Sequence, residues 1–490
     1  MKQLTLLRLI IFITFISLFA MAVRTPADTD MYWHLRTGQY ILETRTIPST
    51  DPFSSTMLGQ PWIDVYWIAQ VILFLTYTIG GTAALAFLVA ALVVLAFVFI
   101  WKQMDGGVFL RACVLILAAT TASVIWTPRP HMATFVLTAA LSYILYLYKW
   151  KRIDRLWLLP PMFILWVNLH GGFISGFIVL GAYLIGELLN NLLAHAGLLK
   201  RADHPEMIDW LRWRKLLIVT FVSGAALLIN PFTINALLLP FKTVSIGALQ
   251  NFIEEWAAPD FHQLYQQPML WMLLLTLCVL GWSGRRLDLT QAMLLVIFAY
   301  ISFLARRNIG LFALICAPIL MSHLQALWVK SPWADRHLSR GLPVLNGLLL
   351  VVISLAAAVK IIYPVLPSVQ AKAEQELLPV AAADWIIQNK PSGNMFNSYN
   401  WGGYFVWRLW PDYPVFVDGR TDLYADPFLA VYRAISLAAA NVEEVFDQYG
   451  VNLIVIEQAA PLTVYLSTAV HWQMVYQDQL AVIFVRVPPR

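Results

Sequence analysis

Apolar runs, one after another and each close to the length that crosses a bilayer, constrain this chain more than anything else in it. About 20 apolar residues in a helix cover the ~30 Å of hydrocarbon, and such runs stand at 5–23, 82–101, 108–127, 132–149, 156–169, 172–193, 214–230, 268–283, 289–304, 309–327 and 343–363. The expected fold is mainly α, a polytopic membrane protein of about 11 transmembrane helices over residues 1–363. Composition agrees: 60% of residues are hydrophobic and 12% charged, a balance that an ordinary soluble domain of 490 residues does not tolerate. The fifth run is short and holds Pro160-Pro161, so a kink or a deep start is expected there. The first run has no small-residue cleavage site and reads as an anchor. Cys113, Cys278 and Cys316 fall inside apolar runs and read as small core residues, not as a disulfide framework or a metal site.

Orientation follows from the basic residues. Residues 62–77 mix Trp67, Ile68, Val71 and Phe74 with Asp64 and Gln70, and read as an amphipathic helix lying in the interface. With that helix not crossing, Lys2 and Arg8, Lys102, Lys149 to Arg155, Lys200 to Lys215, Arg285 and Arg286, and Lys330, Arg336 and Arg340 all fall on one face. The positive-inside rule makes that face the cytoplasm. A multi-pass protein of the cell membrane is expected, with its N-terminus cytoplasmic, a long first external loop at about 24–81, and residues 364–490 external. The same bias accounts for the net charge of +5, and no nucleic-acid partner is expected.

The outer face then collects the polar residues that loops alone do not require. They include Asp28-Thr29-Asp30-Met31-Tyr32-Trp33-His34-Leu35-Arg36, then Arg129 and His131, Asn168 and His170, Glu254 and Glu255, and Arg306-Arg307-Asn308. Each carboxylate entering hydrocarbon costs roughly 2.5–3.5 kcal/mol, so two aspartates beside the interface need a reason. Helix capping, loop ion pairs and interface anchoring explain any one of these residues at even odds or better. Together they also suit chemistry on a phosphate: the arginines carry planar donors that match it, and Asp28 and Asp30 suit a divalent cation or a hydroxyl to be deprotonated.

After residue 363 charges return. Runs at 415–417, 452–456 and 480–485 read as buried strands, with helical patterns at 379–389 and 442–449, which makes residues 364–490 a small external α/β domain. Asp418-Gly419-Arg420 would follow the first of those strands, either as a ligand-binding turn or as a tight turn in which Gly419 takes a positive φ and its neighbours pair locally.

These residues carry a resemblance. An anchor, a long external loop opening on an acid, interfacial helices in that loop and a series of short-looped spans resemble the C-type glycosyltransferases, membrane enzymes that take a sugar from a polyprenyl-phosphate carrier. The stretch from Asp28 to Arg36 is similar to the first-loop acid motif of oligosaccharyltransferase catalytic subunits; Gly59-Gln60-Pro61-Trp62, Tyr66-Trp67 and Gly80-Gly81 resemble the second interfacial helix of lipid-A and protein mannosyltransferase relatives. His34-Leu35-Arg36-Thr37-Gly38, Asp51-Pro52-Phe53-Ser54, Asn168-Leu169-His170-Gly171-Gly172 and Asp418-Gly419-Arg420 resemble motifs of a bacterial group of this type. The resemblance implies Asp30 as the catalytic or metal-binding acid with Asp28 beside it, the two being the ligands of any Mg2+ or Mn2+; His34, Arg36, Arg129, His131, His170, Arg306 and Arg307 are the expected substrate-binding residues. Oligosaccharyltransferases bring a second acid motif after the third span, where this chain has Thr127-Pro128-Arg129-Pro130-His131 and no carboxylate. The implied partners are the bilayer, a polyprenyl-phosphate sugar and a glycan, lipid or protein acceptor. Two rival functions stand beside transfer: a flippase or transporter of a lipid-linked substrate, which places its charges near the bilayer midplane, and a non-catalytic assembly protein that keeps the fold.

Overall fold

The structure, a computed structural model, describes residues 4–26, 28–200, 205–247, 253–329, 343–439 and 441–487. Lys2, Arg201, Lys330, Arg336 and Arg340, counted among the basic clusters, lie outside the described residues. The helices of the first part are α1 (Leu6–Ala22), α2 (Thr29–Thr44), α3 (Trp67–Gln103), α4 (Val108–Ala122), α5 (His131–Lys149), α6 (Leu159–Leu169), α7 (Phe173–His195), α8 (Trp210–Ala226), α9 (Ile234–Val244), α10 (Gln267–Ser283), α11 (Leu289–Leu304), α12 (Ile309–Val329) and α13 (Pro343–Ile362). Every apolar run found in the sequence is largely helical, although the helix in the 214–230 run ends at Ala226. Among the described residues six helices are long and apolar enough to cross a membrane, and several others are shorter apolar helices. One large apolar core joins α3, α4, α5, α7 and α12, while the outer faces expose residues such as Trp271, Trp282, Val344 and Leu355, as a lipid-facing surface does.

Several local expectations change. Pro160 and Pro161 do not kink α6 but open it, at the first-turn positions where a missing N–H leaves no bond unmade. The helix expected over residues 62–77 begins at Trp67, and it continues into the following apolar run. The resulting 37-residue element breaks at Gly80 and Gly81; Gly81 takes φ +61° and ψ −149°, a backbone state that a Cβ disfavours. Lys149 is no surface charge: its ammonium is buried against Glu187 and against Asp288 at 2.6 Å, with Thr290 at 3.0 Å. Helix α9 has no counterpart in the sequence reading, because Pro240 inside it argues against a helix.

The C-terminal part contains α14 (Pro367–Leu377), α15 (Val380–Asn389), β1 (Asn394–Asn397), α16 (Gly402–Leu409), α17 (Thr421–Ser436), α18 (Val442–Gln448), β2 (Val451–Glu457), α19 (Pro461–Thr468), β3 (Trp472–Gln477) and β4 (Ala481–Arg486). The sheet runs β1-β2-β4-β3, with β1 and β2 parallel and the other pairs antiparallel. Leu453, Ile454 and Val455 of β2 and Val482, Ile483 and Phe484 of β4 are buried, as the continuous apolar runs required. Residues 415–417 are buried too but join no strand of the sheet; Val415 bridges instead to Ser54 of the first loop, its N–H donating to Phe53 O at 3.1 Å. A second core, with Met31, Tyr32, Trp33 and Leu35 of α2 beside Trp401, Tyr404 and Phe405, welds the first loop to this C-terminal part.

Candidate active site

Helix α2 starts on an acid that caps it. Asp28 Oδ1 accepts from the N–H groups of Asp30 (3.0 Å) and Met31 (3.3 Å), satisfying two donors that a helix start leaves open. Asp30, two residues on, therefore has no capping duty. Arg129, delivered by the turn before α5, reaches both acids: its Nε donates to Asp28 Oδ2 at 2.5 Å and its Nη1 lies 2.9 Å from Asp30 Oδ2. The same Nη1 is 3.1 Å from Glu255 Oε2.

Glu255 extends the network to the far wall. Arg307 pairs with it at 3.4 Å and stacks over Trp256 at 4.3 Å, while Arg306 pairs with Glu254 at 2.8 Å and reaches the Tyr265 hydroxyl at 3.2 Å. The expected alternative for these arginines, pairing with acids of the loop before α10, is thus present. Both line the cavity, but Arg306 is engaged on two sides, whereas Arg307 holds only a long pair to Glu255.

That cavity has a volume of about 570 Å³. Asp28, Arg129, His131, His170, Glu255 and Arg307 supply polar lining, and Ile178, Leu239, Val244, Ile301 and Leu311 apolar lining. His170 Nδ1 accepts from the N–H of Gly172 at 2.9 Å and from the Thr134 hydroxyl at 2.8 Å, which leaves Nε2 to carry the ring proton. His131 Nε2 is committed to the Ile125 carbonyl at 2.6 Å.

Two of the expected substrate-binding residues are not brought to the cavity. His34 is buried, its ring on Trp33 (centroids 3.5 Å apart) and its Nδ1 3.4 Å from Gln70 Nε2, so it supports the wall from behind. Arg36 turns the other way, donating to Trp410 O at 2.6 Å and to Gln39 at 2.8 Å with its guanidinium 4.9 Å from the Trp410 ring. It fastens the C-terminal part to α2.

The electrostatics separate the acids. Burial, reinforced by Asp28, Glu255 and Asp418, raises the Asp30 carboxyl to about 6 against the opposing pull of Arg129; its side chain keeps 26% of its surface. Burial also opposes the charged form of Glu255, but Arg129 and Arg307 outweigh it and hold that acid at about 2. Burial would lower Arg129, yet Asp28, Asp30 and Glu255 together hold its guanidinium well above the usual range. His34, buried and near Arg129, is held neutral. A carboxyl poised near neutrality beside permanently charged neighbours has the properties of a general base.

The acids do not fit a divalent ion. One oxygen of Asp28 is spent on the helix cap and Arg129 stands against the other and against Asp30, so a guanidinium holds the place of a cation. Among the described residues no group of three or more His, Cys, Asp or Glu could hold a metal.

The Asp418-Gly419-Arg420 turn has a buried role. Arg420 donates to Asp418 at 2.6 and 2.9 Å and to Asp51 of the first loop at 2.5 Å, between the rings of Phe53 and Trp62. Gly419 is absent from the positive-φ residues, so its conformation does not require glycine. Glu255, Trp256 and Tyr66 were visible in the sequence only as polar or aromatic loop residues; no spacing ties Glu255 to Arg129.

No protein-family model matches the chain, and no curated protein matches it. Solved structures do. The archaeal oligosaccharyltransferase AglB from Archaeoglobus fulgidus, in complex with an inhibitory peptide and a dolichol-phosphate, matches 92% of this chain and 69% of its own at TM-score 0.59 and 13% identity. The Archaeoglobus fulgidus oligosaccharyltransferase tethered with an acceptor peptide containing the NVT sequon matches 92% and 68% at TM-score 0.56 and 13% identity. ArnT from Cupriavidus metallidurans in the apo state matches 97% of both chains at TM-score 0.52 and 13% identity. At such identities the likeness is one of fold alone, shared with these oligosaccharyltransferase and ArnT structures.

Proposed function

We propose that this protein is a membrane glycosyltransferase that moves a sugar from a polyprenyl-phosphate donor to an acceptor hydroxyl or amide at the outer face of the cell membrane. The observation that carries the reading is Asp30, a carboxyl raised to about 6 and held by Arg129, which itself lines a cavity with both charged and apolar residues in its wall. The fold, and the dolichol-phosphate bound to AglB, support a lipid-linked donor. In the proposed step Asp30 takes the acceptor proton, the acceptor atom bonds to the anomeric carbon, and the bond from that carbon to the phosphate oxygen breaks. The leaving lipid phosphate keeps the electron pair, and Arg307 with the His170 Nε2–H meets its charge.

Arg307 is the phosphate ligand to test. Arg307→Gln is expected to weaken binding of a polyprenyl phosphate about 10- to 100-fold, the worth of a charged hydrogen bond of roughly 1.5–3 kcal/mol, while Arg306→Gln is expected to change thermal stability more than affinity. Titration of the lipid onto both variants measures this; unchanged affinity in Arg307→Gln removes it from the site.

The reading includes eleven crossings, with the N-terminus cytoplasmic and residues 364–490 outside. An odd number of crossings puts the two ends on opposite faces, which single cysteines in a cysteine-free background report. Val470→Cys, at an 88% exposed position, is expected to label from outside intact cells, and Lys151→Cys only after permeabilisation. Labelling of both from outside rejects the eleven crossings and the outer-face site together.

A further inference from the structure

We infer that Gly419 is a positioning residue for Asp30: the turn that carries it presses bare backbone against the Asp30 carboxyl and holds it on Arg129, so the C-terminal part completes a site otherwise built from the membrane part. The inference deepens the proposed function and rests on it for the role of Asp30. A Cβ placed on Gly419 would stand 1.9 Å from Asp30 Oδ1 and 2.7 Å from its Cγ, well inside contact distance. Because the backbone there is not left-handed, space is what the glycine provides.

The turn cannot retreat to make room. Arg420 is fully buried and tied to Asp418 at 2.6 Å and Asp51 at 2.5 Å, and Thr421 N–H closes on Gly419 O at 2.9 Å. A second close approach fixes the same helix start, since a Cβ on Gly403 would lie 2.5 Å from Thr29 O. With backbone on both sides held, a methyl at 419 is relieved by swinging the Asp30 carboxyl, which gives up the 2.9 Å contact to Arg129.

Two measurements test this on the full-length protein. Gly419→Ala is expected to lower kcat about 100-fold, the effect of a misplacement near 1 Å, with donor KM changed less than twofold and the acid limb of the pH–rate profile displaced. Unchanged kcat and an unchanged profile overturn the inference. The second needs no activity: Gly419→Ala is made in the native and in the Asp30→Ala background and melting temperatures are compared. A drop of several degrees in the native background and little or none in Asp30→Ala supports steric seating; equal drops in both overturn it. If the protein transfers no sugar with any donor tried, the proposed function fails while the melting comparison still decides the seating.

Discussion

Asparagine in place of Asp30 is expected to fold as the native protein does and to transfer sugar about 10²- to 10⁴-fold more slowly, the usual contribution of a positioned proton acceptor. The helix start is indifferent to the change because its cap is Asp28, whose Oδ1 holds the two N–H groups. Asparagine has the same shape beside Gly419 and accepts from Arg129, yet takes no proton. Asp28→Asn also caps but weakens the 2.5 Å pair to Arg129, so partial activity is expected there. In the native protein the proposed transfer is expected to slow as the pH drops through about 6, where Asp30 becomes protonated. Stability runs the other way. A carboxyl raised on folding binds its proton more tightly in the folded state, so its stabilising contribution is full below the ordinary aspartate range and is lost as the pH rises through about 6. Asp30→Asn should therefore melt no lower than the native protein at pH 7.5. A labelled polyprenyl-phosphate sugar and a melting curve check both statements; full transfer by Asp30→Asn moves the catalytic centre elsewhere.

Loss of Arg420 is the largest stability change expected. Arg420→Met leaves Asp418 and Asp51 facing each other with no exposed side-chain surface and no cation. Removing one partner of a buried ion group costs about 3–5 kcal/mol, because the remaining charge is uncompensated. Phe53 and Trp62, which cover the guanidinium at 5.2 and 4.8 Å, lose their packing partner as well. The triple change Asp51→Asn, Arg420→Met, Asp418→Asn removes the charges together and is expected to recover much of the loss. Thermal unfolding of the detergent-solubilised protein measures this, and an Arg420→Met melting temperature within a degree of native would show that the ion group holds nothing.

The helices were legible because hydrophobic runs of fixed length need no partner to be recognised. Side-chain destinations were not. His34 and Arg36 sit in the same motif as Asp30, about one turn and nearly two turns along α2, and only the fold decides that Arg36 meets Trp410 while His34 is buried behind the cavity. The apolar run at 415–417 has the composition of a sheet strand, yet its Val415 N–H is bonded to Phe53 O of the first loop instead. The turn at Gly419 was visible and its reason was not: a glycine demanded by a distant carboxylate looks in sequence like one demanded by φ. The opposite happened at Arg307, where the local pairing with Glu255 could be anticipated from the acids in the preceding loop.

The ion group of Asp51 and Arg420 bridges 369 positions of sequence. At about 5–20 residues per second, roughly 20 to 75 s of synthesis separates the two ends, and the apolar helices between them have entered the membrane by then. The loop to be closed is long but adds little entropy, since the cost grows only with the logarithm of length. What it adds is delay. Asp30 is synthesised well ahead of Gly419, so a nascent chain already in the bilayer presents this carboxyl without the backbone proposed to seat it.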